Sequence, residues 1–321
     1  MLKKIVVTGV AGFLGSHLAR ELLGEGQEVI GIDNFSSGRR ENLVDLPKES
    51  FTLIDKDVTH LDIVNHPLLL GVNEIYHLAS PASPKFYQNL PLETIAVNTT
   101  GTSNMLELAK QNGAKMVYTS TSEAYGDPTV HPQVESYRGN VNTWGPRACY
   151  DEAKRLGEVF CYLYYTHYGL QVKVARIFNT YSAGLANDDG RVISNFVSQA
   201  IKGDDITVYG DGLQTRSFCY VTDTVKGLMK LMEEDCATGE IINIGNPVEY
   251  TILDVANLVK TLSNSTSQIT FHPLPEDDPK VRKPDIEKAK RILSWDPVVP
   301  LQKGLEAMIV QYRKKLGLKE R

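Results

Sequence analysis

Tyr150 and Lys154 lie four residues apart in the stretch Pro-Arg-Ala-Cys-Tyr-Asp-Glu-Ala-Lys-Arg, residues 146–155. On a helix that spacing brings both side chains out of one face, one turn apart. A phenol beside an ammonium can move a proton. The cation favours the phenolate and is expected to pull the tyrosine below its ordinary value near ~10. Both residue types are common on half-exposed helices, so the pair acquires meaning only beside a cofactor and a substrate pocket. Upstream stands a hydroxyl-rich run, Thr119-Ser120-Thr121-Ser122-Glu123. Hydroxyls at a strand end can hydrogen-bond a substrate hydroxyl as it becomes a carbonyl, although polar residues before a turn also occur without function.

A cofactor site is written at the N-terminus. The β-branched run Ile5-Val6-Val7 leads into Gly9-Val10-Ala11-Gly12-Phe13-Leu14-Gly15, and Leu14, Leu18 and Leu22 continue as a helical stripe. Gly9 makes the tight turn, Gly12 lets the backbone approach a pyrophosphate, and Gly15 permits close helix–strand packing. The helix start at Phe13 and Leu14 offers free N–H groups to phosphate. A second strand over 28–32 ends at Asp33, whose carboxylate suits the adenosine ribose hydroxyls and repels a 2′-phosphate. NAD is therefore expected over NADP, with Arg39 and Arg40 close enough to weaken the preference. Asn34, Phe35, Ser37 and Gly38 complete the cofactor turn. Further strands over 51–54, 74–78, 115–120 and 172–178 alternate with helices, notably 98–111 and 150–168. Asp57 and Val58 end the third strand, and Leu78 and Ser80 follow the fourth, where they can line the cofactor.

That alternation predicts an α/β fold, a Rossmann-type doubly wound parallel sheet, with a smaller α/β substrate-binding domain. Residues 1–178 and 214–247 are expected to form the NAD-binding domain, and 179–213 and 248–316 the nucleotide-sugar domain, the chain crossing between them. The polar loop 182–189 marks the change. Arg216 can fork two hydrogen bonds to a diphosphate. Helices are expected over 193–202, 223–233, 251–262 and 301–314.

The whole chain sets limits. Its 321 residues, 42% hydrophobic and 23% charged, are those of a globular protein with a sizeable core. A net charge of −5 without basic runs gives no reason to expect nucleic acid. No apolar run approaches the ~18 residues of a membrane span. The first strand begins at once, so no signal or transit peptide is expected, and four cysteines without paired spacing read as reduced cytoplasmic thiols. The seven histidines show no metal-ligand spacing, and no metal is expected.

The glycine turn, Asp33, Thr121-Ser122 and the Tyr150–Lys154 pair resemble the extended short-chain dehydrogenase/reductase superfamily. Longer stretches resemble the UDP-glucuronate decarboxylase (UDP-xylose synthase) family within it. They are His77-Leu78-Ala79-Ser80-Pro81-Ala82-Ser83-Pro84, Thr121-Ser122-Glu123, residues 145–154, Ala175-Arg176-Ile177-Phe178-Asn179-Thr180 and Arg282-Lys283-Pro284-Asp285-Ile286. The resemblance implies that Tyr150 is the base for the sugar 4-hydroxyl. Lys154 lowers its pKa and holds the nicotinamide ribose, and Thr121 bonds the 4-oxygen. Oxidation with NAD then makes a 4-ketone, the C6 carboxylate becomes a β-keto acid and leaves as carbon dioxide, and protonation at C5 with hydride returned from NADH gives UDP-xylose. Ser122 and Glu123 would help the ring distort and manage the C5 proton, and Arg282 would face the glucuronate carboxylate. Pro84, Asn179, Arg191, Val192, Tyr209, Gln214 and Arg216 are the implied UDP-sugar contacts. A homodimer through helices 98–111 and 150–168 is also implied.

Departures from the family's pattern at Ala96, at Thr143 and Trp144, and over 182–185 bear on pocket shape rather than reaction class. Open alternatives are a decarboxylase that releases the UDP-4-keto-pentose with NADH, a UDP-sugar 4-epimerase or dehydratase, and a non-catalytic NAD-sensing scaffold.

Overall fold

The computed structural model describes residues 2–185, 190–275 and 277–318; part of the expected loop 182–189 therefore lies outside the described residues. The chain begins with β1 (Lys4–Thr8), α1 (Phe13–Gly24), β2 (Glu28–Asp33), β3 (Phe51–Asp55) and β4 (Glu74–His77). Helices α2 (Pro84–Asn89), α3 (Pro91–Ala96) and α4 (Thr102–Asn112) precede β5 (Lys115–Thr121), α5 (Ala148–Tyr168) and β6 (Val172–Ile177). Then come β7 (Thr180–Tyr181), α6 (Val192–Lys202), β8 (Ile206–Tyr209), β9 (Thr215–Ser217), β10 (Cys219–Tyr220), α7 (Val221–Glu233) and β11 (Ile241–Ile244). The chain closes with β12 (Glu249–Thr251), α8 (Ile252–Leu262), β13 (Ile269–His272), β14 (Val281–Arg282), α9 (Glu287–Leu293) and α10 (Leu301–Lys315).

Seven strands form one parallel sheet in the order β11-β6-β5-β4-β1-β2-β3. Strand order reverses between β1 and β4, which opens a crevice at the strand C-terminal ends. Strands covered on both faces carry unbroken apolar runs, and Val6, Val7, Ile30, Ile75, Met116 and Val117 are all buried. One core joins the sheet to α1, α7 and α9 through Leu18, Leu22, Val225, Leu228 and Leu293. The opposite core joins it to α4 and α5 through Met105, Leu106 and Cys161. A third core gathers α6, α8 and α10 around Phe196, Val255 and Met308.

Helix ends follow local chemistry. Thr251 caps α8 by accepting from the Asp254 N–H at 3.0 Å, a contact worth about 1 kcal/mol. The helix expected from residue 98 starts earlier, at Pro91, because proline suits a first helical position. It reaches α4 through one π turn, Val97–Gly101. No helix among the described residues is long and apolar enough to cross a membrane.

Two segments depart from the expected partition. Residues 215–217 were expected with the large sheet, but β9 pairs with β12 and β14 in a small three-stranded sheet. Residues 286–295, expected in the smaller domain, return to the core under the large sheet through Ile286, Ala289, Leu293 and Trp295. Trp295 Nε1 donates to the Asp223 carbonyl at 3.0 Å, tying the segment after α9 to α7.

Candidate active site

The turn after β1 is shaped by close backbone approach. Gly9 has φ +68°, and a Cβ there would lie 2.9 Å from the Ala79 backbone. A Cβ on Gly15 would come within 2.2 Å of the Gly9 carbonyl oxygen, so α1 can start here only with glycine. Gly12 precedes α1 without a side-chain cap, and the first turn carries no acidic residue. The N–H groups of that turn, those of Phe13 and Leu14 among them, remain for an anion.

Asp33 is buried at the end of β2. Its Oδ2 accepts from the Ala11 N–H and its Oδ1 from the Phe35 N–H, both at 2.8 Å. Burial raises its pKa above the ordinary carboxylate value, against the pull of those two donors. Each oxygen keeps acceptor capacity for a ribose hydroxyl. Asn34 Nδ2 donates to Asp57 Oδ2 at 2.8 Å, tying the ends of β2 and β3 together. Gly9, Gly12, Phe13, Leu14, Gly15, Asp33, Asn34, Ser37, Gly38, Asp57, Val58, Leu78 and Ser80 line one cleft of about 690 Å³. Phe35, expected on this wall, does not line it. A left-handed turn at φ 58° carries its ring away, and the Arg40 guanidinium lies 3.9 Å from the ring centroid. The glycine turn, the uncapped helix start and the buried carboxylate fit a dinucleotide.

At the far end of the cleft, β5 ends in Thr121 and α5 brings Tyr150 and Lys154 back to it. The Thr121 side chain lies near the Tyr150 hydroxyl and favours its ionised form. The Tyr150 ring stacks on Tyr87 with centroids 5.0 Å apart. Lys154 Nζ donates to the Thr119 carbonyl at 2.7 Å. It sits 5.1 Å from the Tyr118 ring centroid and 6.0 Å from that of Tyr150. The expected electrostatic relation does not hold. Burial pushes Tyr150 up to about 12, helped by the Glu123 charge and opposed by the Thr121 side chain. Burial also lowers Lys154 to about 7. For each group the largest cause is desolvation of its charged form.

Glu123 follows in the turn Ser122–Tyr125. Its Oε2 accepts from Arg147 Nη2 at 2.6 Å and from Arg282 Nη2 at 3.1 Å. Burial works against its ionisation, but the Arg282 and Arg147 guanidiniums hold the carboxyl well below its ordinary pKa. Arg282 is only 1% exposed and is absent from the cleft wall. It donates to the Ser122 carbonyl and, at 3.0 Å, to that of Gly126, with Nε unpartnered. The expectation that it faces the substrate is thus altered: pairing of β14 with β9 carries it behind Ser122 and Glu123, which occupy the wall themselves.

The sugar-nucleotide side of the same cleft is lined by Pro84, Asn179, Arg191, Val192, Tyr209, Gln214 and Arg216. Asn179 Nδ2 donates to the Ser217 carbonyl at 3.3 Å, and Gln214 Nε2 to that of Tyr209 at 2.6 Å. Arg216 Nη2 donates to Asp278 Oδ2 at 2.8 Å. Asp278 also stands 3.7 Å from Arg147. Arg147, Arg216 and Arg282 therefore converge on Glu123 and Asp278, tying the turn after β5 to the smaller layer.

Sequence reading missed Arg147 and Tyr87. Arg147 lies in the stretch that carries Tyr150, but its partner Glu123 is 24 residues away, and no spacing rule links them. Tyr87 belongs to a six-residue helix without a motif. Asn98, also missed, donates to Ser80 Oγ at 2.9 Å and braces the cofactor wall.

A parallel sheet with its crevice at a glycine turn, and a Tyr–Lys pair beside a strand-end threonine, define an NAD-dependent enzyme. The chain belongs to the NAD dependent epimerase/dehydratase family, whose model matches residues 5–245. It is 51% identical over 315 residues to UDP-glucuronic acid decarboxylase 1 of Danio rerio, covering 98% of this chain and 73% of that protein. UDP-glucuronic acid decarboxylase 6 of Arabidopsis thaliana is 51% identical over 317 residues, covering 98% and 90%. Among solved structures, the UDP-glucuronic acid 4-epimerase of Bacillus cereus, in complex with UDP-glucuronic acid and NAD, superposes with a TM-score of 0.87. It is 30% identical, covering 98% of this chain and 99% of that one. The dTDP-glucose 4,6-dehydratase of Streptomyces venezuelae, with NAD bound, gives a TM-score of 0.89 at 26% identity, covering 98% of each chain.

Proposed function

We infer that this chain is an NAD-dependent UDP-glucuronate decarboxylase, a lyase that converts UDP-glucuronate to UDP-xylose and carbon dioxide. The observation that carries the reading is 51% identity across 98% of the chain to a curated UDP-glucuronic acid decarboxylase. NAD, when bound, supplies the hydride acceptor for oxidation at C4 and the donor that reverses it.

The chain's own residues supply positioning, charge and proton transfer. Gly9, Gly12 and the α1 start hold the pyrophosphate, and Asp33 holds the adenosine ribose. Thr121 and Tyr150 address the sugar 4-hydroxyl, with Tyr150 taking its proton and the Thr121 side chain favouring the phenolate. Stacking on Tyr87 keeps the phenol from swinging away. Arg147 is the guanidinium on the wall that can meet the glucuronate carboxylate. Glu123, kept ionised, places negative charge beside it, and departure of neutral carbon dioxide relieves that repulsion. Arg282 serves from behind by holding Glu123 and the turn that carries it. Arg216, Arg191 and Asn179 fall on the side of the cleft suited to the UDP diphosphate.

A homodimer completes this reading. Leu156, Val159 and Leu163 on α5, with Leu92 and Ile95 on α3, expose apolar side chains on neighbouring helices, a surface suited to a second copy. The four cysteines carry free thiols, in keeping with a cytoplasmic location. Sedimentation at micromolar concentration tests the dimer, and Leu163→Glu should give a monomer.

The reaction is tested by incubating the protein with UDP-glucuronate and identifying the products by mass and NMR. UDP-xylose and carbon dioxide without net NADH support the reading. UDP-4-keto-pentose with stoichiometric NADH points to early release, and absence of turnover to a sensor.

A further inference from the structure

Loss of carbon dioxide from glucuronate leaves the C–C bonding electrons at C5, and C5 must then gain a proton. The proton that Tyr150 takes from the 4-hydroxyl returns to the same oxygen, so the C5 proton is drawn from water once per turnover. That proton can be drawn along a route separate from the cleft that takes nucleotide and cofactor.

A second cavity, of about 360 Å³, lies beside the reaction centre. Glu123, Arg147, Asp278 and Pro279 line both cavities, so the partition between them carries the Glu123–Arg147 ion pair and the Asp278 carboxylate beside it. Asp151, next to Tyr150 on α5, lines only the second. It is 5% exposed, and its Oδ1 has no hydrogen-bond partner. An acidic residue in the first turn of a helix usually serves as an ionised partner of the helix N–H groups, but no such bond is made here. The groups facing it are Glu123 from the turn after β5, Asp127 and Arg147 from the following loop, and Asp277, Asp278 and Arg282 from the β14 segment. Tyr87 of α2 and Cys149, Tyr150 and Glu152 of its own helix complete the set. Burial and the Glu123 charge push its pKa well above the carboxylate range, against the pull of Arg147 and Arg282. These surroundings favour the neutral, proton-bearing form of the carboxyl.

We propose that Asp151 is the proton relay of the decarboxylation, passing its proton across the Glu123 partition toward C5 and regaining one from water in the second cavity. The step balances. The Asp151 O–H bond breaks as its proton passes to the Glu123 carboxylate. That proton forms the C5–H bond on the electron pair left by carbon dioxide, returning Glu123 to its ionised form. A cavity water reprotonates Asp151 while its hydroxide leaves to solvent. Asp151 touches neither substrate nor cofactor and acts through Glu123, which makes it a positioning residue. The proposal rests on the decarboxylase reading.

Asp151→Asn keeps the shape and removes the transferable proton. With UDP-glucuronate, kcat should fall tenfold or more while KM and bound NAD stay within twofold. The alkaline limb of the wild-type kcat profile should vanish, and the solvent deuterium isotope effect should rise. Asp151→Glu should restore at least a third of the rate and the alkaline limb. A wild-type rate, or a reduced rate with an unchanged pH profile and isotope effect, overturns the relay. Should Asp151→Asn not fold, Asp151→Glu decides: an alkaline limb at a shifted pH supports the relay, and one unmoved from that of the wild type, as titration of Lys154 would leave it, overturns it. Absence of carbon dioxide from the wild type overturns the decarboxylase reading itself.

Discussion

The ring of Tyr150 lies parallel to that of Tyr87, with centroids 5.0 Å apart and planes 7° from each other. Packing therefore orients the phenol independently of its hydroxyl. Tyr150→Phe should keep the stack and the fold while losing the proton acceptor. Carbon dioxide release should drop by at least about 100-fold, the scale of general acid–base catalysis. UDP-glucuronate binding by calorimetry should change only a few-fold. Near-wild-type release would remove Tyr150 from the role of base.

Glu123 is held between Arg147 and Arg282 with little exposure. Removing one partner of a buried ion pair leaves the other charge poorly compensated, at a cost of about 3 kcal/mol. Arg147→Met should show that loss in urea unfolding together with loss of turnover. Glu123→Gln alone should cost at least as much, because it also strips the buried Arg282 of its carboxylate partner. A Glu123→Gln loss well below that of Arg147→Met would show that the pair is not the source.

Gly15 has no space for a methyl group, since its Cβ would sit 2.2 Å from the Gly9 carbonyl oxygen. Gly15→Ala must displace the turn that presents α1. The expected outcome is a stability loss of about 1–3 kcal/mol from overpacking. The thermal shift on adding NAD should disappear, as checked by melting curves with and without the cofactor. A full NAD-induced shift would show that the turn tolerates the methyl.

Lys154 provides a pH test with a defined sign. Burial lowers its pKa from 10.5 to about 7. Between those values the unfolded chain holds a proton that the folded chain has released, so stability rises with pH across that window. Below about 7 both states are protonated and the full penalty of burying the ammonium is present. Urea unfolding at pH 6, 8 and 9.5, roughly spanning the window, should show that rise in the NAD-free wild type and a smaller one in Lys154→Met. Equal slopes would mean that Lys154 does not titrate there.

The sequence by itself determined the features that depend on neighbours along the chain. Alternating β-branched runs and amphipathic stripes specified a parallel sheet. Gly9, Gly12 and Gly15 marked the dinucleotide turn, and the spacing of Tyr150 and Lys154 put both on one helical face. Only the tertiary structure decided what depends on surroundings drawn from distant parts of the chain. Arg282 meets Glu123 across 159 residues and retreats behind the wall it was expected to form. Arg147 takes the place on the cleft wall, and α9 crosses back beneath the large sheet. The same holds for charge. The Tyr–Lys spacing suggested a phenol pulled down by its neighbour, yet burial raises Tyr150 and lowers Lys154. Spacing is a local property, whereas desolvation is set by every residue packed around the group.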